Sequence, residues 1–238
     1  MKTIYYKATD RGHANHGWLD AYHSFSFAGF HDATKVHFGA LRVLNDDKII
    51  GGRGFGMHPH DNMEIVTIPL SGDLEHADSM GNVGAISRGE VQVMSAGTGI
   101  YHSERNKNID KALQLLQIWV FPKLRDIEPR YDQRAFSIED RKNQFQTLVS
   151  PLGSDDSGMG INQDAWFSLI NLDQDKEATY NIKLNTNGVY AFVIEGEAEI
   201  NGQTLGRRDA LGISETNEVI IKAKTDTEIL LIDVPMSF

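Results

Sequence analysis

The chain has 238 residues, 40 % apolar and 24 % charged, with a net charge of −10, enough for one large domain or two of ordinary size. It has no cysteine, which excludes disulfides and thiolate metal sites and leaves nitrogen and oxygen to hold any transition metal. Its basic residues are too scattered to offset the acidic balance at a phosphate backbone, no apolar run reaches the length of a membrane span, and the N-terminus carries no signal-peptide pattern, so a cytoplasmic protein that binds neither nucleic acid nor membrane is expected.

The first forty residues are dense in Gly, His and aromatics (RGHANHGWLDAYHSFSFAGFHD) and read as loop and short strand. Trp18, Phe25, Phe27 and Phe30 pack this segment against the body. From Phe38 the pattern becomes a succession of short strands. FGALRVLNDDKI reads as strand then turn, with Asn45-Asp46-Asp47 supplying the turn. NMEIVTIPLSGDLEHADSMGN reads as strand, Gly turn, strand, with Gly81-Asn82 marking the next reversal. GEVQVMSAG and LQLLQIWVFP follow as two apolar strands. Between Pro122 and Asp164 the chain turns charged and turn-like, and this stretch reads as a connection ending in a strand at Gln146–Val149. A second β-rich region then runs to the C-terminus. No segment sustains a 3.6-residue amphipathic period beyond about three turns, so helix content should be low. Short strands separated by Gly turns argue for sandwiches or barrels. The expected organisation is an all-β pair of domains, residues 1–135 and 136–238.

A faint internal repeat supports the pairing. Ile68-Pro-Leu-Ser-Gly72-Asp-Leu-Glu75 resembles Val193-Ile-Glu-Gly196-Glu-Ala-Glu199. Counted back without gaps from the two glycines, His58 falls opposite Ile182 and His60 opposite Leu184.

Two histidine motifs carry the chemistry. In a strand, residues two apart share a face, so His58-Pro59-His60 aims two imidazoles into one space, and His102-Ser103-Glu104 aims an imidazole and a carboxylate from a second strand. All nine histidines lie between His13 and His102. Three neutral nitrogens and a carboxylate oxygen suit a mid-row divalent metal such as Fe(II) or Mn(II), and the same donors accept Co, Ni, Cu or Zn. His13 and His16 read as hydrogen-bonded structural residues; His23, His31, His37 and His76 read as pocket rim or surface. Trp18, Phe25, Phe27 and Phe55 either line an aromatic pocket over the metal or pack a core.

Residues 52–64, GRGFGMHPHDNME, resemble the first cupin motif, with Gly72 one residue later than the usual spacing. GEVQVMSAGTGIYHSE resembles a modified second motif, in which Ser95 replaces the usual proline, the histidine comes late, and Glu104 is added. Together with the N-terminal RGHANHGWLDAYHSFSF, these motifs resemble the pirin family over at least the first 120 residues. The resemblance implies a bicupin, two β-barrels with little helix, with one mononuclear divalent metal, most readily Fe(II), in the first barrel and a degenerate second barrel. It implies His58, His60, His102 and Glu104 as the ligands. Glu64 matches the cupin glutamate and is left behind the ligands, although its parity with His58 and His60 keeps ligation open. The implied activity is a quercetin 2,3-dioxygenase type, acting on a flavonol and dioxygen with release of carbon monoxide and with Glu104 as the base. Two rivals stand beside it: a metal- or redox-sensing regulator acting through a protein partner, and a cupin isomerase of small metabolites. The protein is expected to be a monomer.

Overall fold

The computed structural model describes residues 1–238. Apart from two short 3-10 turns, its regular structure is entirely β. The first half contributes β1 (Lys2–Tyr6), β2 (Gly12–Asn15), β3 (Leu19–His23), β4 (Leu41–Ile49), β5 (Gly54–His60), β6 (Glu64–Ser71), β7 (Asp73–Asp78), β8 (Val83–Ser87), β9 (Glu90–Ser95), β10 (Ile100–Asn106), β11 (Leu113–Val120) and β12 (Arg130–Ala135). The second contributes β13 (Gln146–Pro151), β14 (Met159–Ile161), β15 (Trp166–Leu172), β16 (Glu177–Asn181), β17 (Asn187–Glu195), β18 (Ala198–Ile200), β19 (Gln203–Leu205), β20 (Ala210–Ser214), β21 (Glu218–Ala223) and β22 (Thr227–Pro235).

These strands build two barrels of the same design. The first pairs a seven-stranded sheet, β12-β9-β6-β11-β4-β3-β2, with a four-stranded sheet, β5-β10-β7-β8. The second pairs β1-β20-β17-β22-β15-β13-β14 with β16-β21-β18-β19. The orders correspond element for element except at the outer end, where β2–β3 is antiparallel and β13–β14 parallel. Gly72 and Gly196 occupy equivalent turns, at φ of 78° and 87°, a region a Cβ disfavours. The leading strand of each repeat is exchanged: β1 completes the second barrel's sheet by pairing with β20, and β12 completes the first by pairing with β9. A division at 135/136 therefore separates β1 from the sheet it completes.

The largest core lies between the barrels. Outward faces of the two seven-stranded sheets meet through 27 buried residues, among them Leu44, Val66, Ile118, Phe167, Phe192 and Ile232. Tyr6 from the exchanged β1 and Phe25 pack there against Tyr190, at ring separations of 5.2 and 5.5 Å. Phe25 is thus a core residue between the barrels. The barrel interiors hold separate clusters, 16 buried apolar residues in the second but only seven and four in the first.

Two expectations need correction. Asn45-Asp46-Asp47 is the middle of β4, hydrogen-bonded on both sides, to β11 and β3. Tertiary pairing overrides local turn propensity here. Asn45 and Asp47 are buried and share the inward face with Ile49, while Asp46 binds Arg11 and Arg208 on the other face. The stretch read as a connection also hides β12, which is polar because it is an edge strand.

Candidate metal centre

The four-stranded sheet carries the histidine motifs. Burial along β10 alternates without a break: Ile100, His102, Glu104 and Asn106 are buried and Tyr101, Ser103 and Arg105 are not. His102 lies opposite His58, and after a register shift Glu104 lies opposite Phe55. That irregularity brings Phe55 to the same face as His58 and His60. Gly54 permits the close approach of β5 to β10, because a Cβ there would stand 2.2 Å from the Glu104 carbonyl oxygen.

His58, His60 and His102 converge, with one nitrogen from each within 4.8 Å of the others. The His58 Nδ1–H donates to the Gly56 carbonyl at 2.7 Å, which fixes the tautomer and leaves Nε2 as a free lone pair. His60 Nε2 and His102 Nε2 face each other at 2.9 Å. Two nitrogens each ~2.0–2.1 Å from one ion, at right angles, stand about 2.9 Å apart, so this spacing fits two neighbouring ligands of a single cation. Burial, then the charge of neighbouring histidines, lowers His60 to about 4 and His102 to about 3. Both rings are therefore neutral and ready to donate lone pairs at physiological pH.

Glu104 falls into a second group, with His76 and His102, again within 4.8 Å. Its Oε2 accepts a hydrogen bond from Gln117 Nε2 at 2.8 Å, and Oε1 is buried without a partner. Burial raises its pKa. The structure thus brings the three histidines together and holds Glu104 one step inward, against Gln117. Gln117 belongs to a polar row crossing the large sheet in register: His23, Asn45, Gln117, Thr67 and Gln92 on β3, β4, β11, β6 and β9. Within it His23 Nδ1 meets Asn45 Oδ1 at 2.9 Å, and the Thr67 hydroxyl donates to Gln117 Oε1 at 2.9 Å. The amide of Gln117 is thereby oriented with its NH2 towards Glu104.

His76 corrects the surface reading. It is fully buried on β7, 5.4 Å ring to ring from His102, and stacks on Tyr131 of β12 at 4.7 Å. Its Nε2–H donates to Asp78 Oδ2 at 3.2 Å, and Nδ1 is buried without a partner. Burial works to raise Asp78, but hydrogen bonds from Asn82, His76 and Met80 outweigh it and hold the carboxyl below its usual range. The alternation DLEHAD, in which Leu74, His76 and Asp78 are buried, was the signal that places His76 inside.

Glu64 leaves the centre altogether. The chain turns between β5 and β6, with Asn62 at φ of 45°, and the parity shared with His58 is lost. Glu64 shares the outward face with Val66, where Ser95 Oγ donates to Oε2 at 2.7 Å and the Asn162 backbone N–H at 3.1 Å. The sequence reading also missed Trp119, whose ring meets His60 edge-on at 4.9 Å and Phe27 at 5.4 Å.

Beside the centre lies a cavity of about 650 Å³ walled by Trp18, Phe27, Phe30 and Phe55, with Asn45 and Asp47 on its floor and His13 and His16 at its edge. Trp18 and Phe55 meet edge-on at 5.2 Å. His13 pairs with Asp20 at 2.6 Å and stacks on Tyr22, the structural role expected of it. Burial, then the charges of Asp46 and Glu104, pushes Asp47 up to about 8.

The chain matches the pirin family model over residues 6–120 and that of the quercetinase C-terminal cupin domain over residues 147–234. It is 44 % identical to a quercetin 2,3-dioxygenase of Escherichia coli over 96 % of this chain and 97 % of that one. A pirin-like protein of Caulobacter vibrioides is 39 % identical over 93 % and 95 %. Among solved structures, YhhW of Escherichia coli superposes with a TM-score of 0.93 at 43 % identity, covering 98 % of each chain. A crystal structure of that bacterial pirin in complex with nickel(II) gives 0.92 at 42 % identity, covering 98 % and 99 %.

Proposed function

Since this chain belongs to the pirin family, a bicupin fold, we propose that it is a metal-dependent dioxygenase that opens the central ring of flavonols such as quercetin. The observation that carries the reading is the convergence of three neutral imidazoles, His58, His60 and His102, beside an aromatic-walled cavity. Glu104 supplies the one anionic donor, and no nitrogen or oxygen donor of the second barrel is needed. We assign the ion as divalent, Fe(II) first, with Mn, Co, Ni, Cu or Zn accepted by the same donors. Bound there, such an ion supplies a chelating point for the 3-hydroxy-4-keto edge of a flavonol beside dioxygen.

The chain's own residues do the rest. His58, oriented by the Gly56 carbonyl, and His60, packed against Trp119, fix two donor directions. His102 is 1 % exposed, so its ring cannot swing into solvent. Glu104 takes the proton of the 3-hydroxyl: its Oε1 has no partner, and burial raises its pKa, which makes the carboxylate a stronger base. Gln117 holds the other oxygen of that carboxyl while the proton resides on it. Phe55 and Trp18, in edge-on contact, form an apolar wall of the cavity.

Oxygen uptake and carbon monoxide release by the iron-loaded protein, measured over a flavonol panel against the metal-free protein, test the reading. Turnover that requires metal and disappears in His102→Ala is expected. Metal retention without turnover of any flavonol would replace the dioxygenase reading with the metal-sensing regulator.

A further inference from the structure

Several polar atoms of the first barrel's interior are buried without a hydrogen-bond partner, at His76, His102, Glu104, Gln92, Trp119 and Asp47, and of these residues only Asp47 lines the cavity. Asn45 pairs with His23, and Gln117 pairs with both Thr67 and Glu104. Asp47 is equally buried, 6 % exposed, yet its Oδ1 has no hydrogen-bond partner. A carboxyl with an unpaired buried oxygen, facing aromatic rings, destabilises the fold unless something completes it. Asp47 lines the 650 Å³ cavity together with Trp18, Phe27, Phe30 and Phe55, a volume in the range that encloses a small organic ligand. The cavity is separated from the metal centre by a single aromatic wall. Phe55, one of its walls, is 6.4 Å ring to ring from His58, and Asp47 sits opposite Leu115, one inward step along β11 from the Gln117 that holds Glu104.

From this geometry we propose that the cavity receives the ring system of a flat, polyhydroxylated aromatic ligand, and that Asp47 sets specificity by hydrogen-bonding a hydroxyl remote from the metal-binding edge. Aromatic walls on several sides stack or abut a planar ring. A single buried carboxyl among them reads a hydroxyl, because an analogue without it leaves the carboxyl unpaired again. Asp47 is a specificity-determining residue here, with no part in bond breaking. The assignment rests on the flavonol reading above and adds to it which flavonols are preferred.

The test compares two probes, quercetin and 3-hydroxyflavone, which share the chelating edge and differ in their other hydroxyls. Dissociation constants come from tryptophan fluorescence quenching, and KM and kcat from oxygen uptake, for the metal-loaded wild type, Asp47→Ala and Asp47→Asn. Metal content and thermal melting are followed in each. The wild type should prefer quercetin by about tenfold or more, as expected where a site is built to hydrogen-bond a hydroxyl. Asp47→Ala should abolish that preference by raising KM for quercetin, with kcat and the binding of 3-hydroxyflavone little changed. Asp47→Asn, which still offers hydrogen bonds, should keep part of it. An unchanged preference in Asp47→Ala overturns the assignment while leaving the dioxygenase reading standing; it would mean that only water completes Asp47. Failure of the wild type to bind either probe overturns both.

Discussion

In the second barrel, Tyr180, Val219, Ile221 and Ile200 hold the positions that His58, His102, Glu104 and His76 hold in the first. The correspondence follows from the ladders: Val219 faces Tyr180 as His102 faces His58, and Ile221 faces Ile200 as Glu104 faces His76. All four second-barrel residues are buried within one apolar cluster. The row that carries Asn45, Gln117, Thr67 and Gln92 in the first barrel reads Ser168, Leu231, Ala191 and Leu211 in the second. One strand order therefore accepts either an apolar or a polar filling. The apolar barrel is stabilised chiefly by burial. The polar barrel holds unpartnered polar atoms at His76, His102, Glu104 and Asp47, a cost that a bound ion and ligand would offset.

The sharpest way to break this comparison is to move a polar group across. Ile221→Glu, the counterpart of Glu104, places a carboxylate where no Gln or His meets it. A loss of about 3–5 kcal/mol is expected from an uncompensated buried charge, read as a large drop in the denaturation midpoint or as failure to fold. Unchanged stability would show that the second interior is as tolerant of charge as the first. The reverse direction is His102→Ala, which should leave the fold intact and lower metal affinity by more than about 100-fold, because removing groups one step behind a ligand already costs 10–100-fold. A smaller loss, by metal titration, would move the centre elsewhere.

Gln117→Leu installs the residue of the second barrel, Leu231. With Glu104 no longer held, metal affinity should fall about tenfold or more, with a stability loss of about 1–3 kcal/mol from the unpaired buried oxygen. An unchanged metal isotherm would show that Gln117 only fills space. The smallest effect is the pH dependence of the metal-free protein. His60 and His102 fall to about 4 and 3 when folded, from 6.5. Between those values the unfolded chain binds protons that the folded chain does not, so stability is intact above pH 6.5 and declines as pH drops towards 4. Denaturant midpoints at about pH 7, 6 and 5 should decrease in that order, and less steeply in His60→Gln.

Much of this contrast was legible in the sequence, because the period-two rule acts on single strands. It brought His58 to His60 and His102 to Glu104, and the Gly72–Gly196 match pointed to duplicated barrels. What escaped it depends on pairing between strands. The ungapped count set Ile182 opposite His58, whereas the ladders place Tyr180 there, because the chains between the strand and the glycine differ in length. Glu64 kept its parity on paper and lost it at the Asn62 turn. Asn45 and Asp47 looked like turn residues because nothing local shows that both neighbours of β4 bind it. Gln117 and Thr67 form a row only once β4, β11 and β6 are in register.

The central claim is that only the first barrel holds a metal, on His58, His60 and His102 with Glu104 beside them. Elemental analysis of untagged protein, purified without added metal and then reloaded, tests it most directly alongside His58→Ala/His60→Ala. One divalent transition ion per wild-type chain and none in the double variant is the predicted result. Full metal content in the double variant would contradict the account.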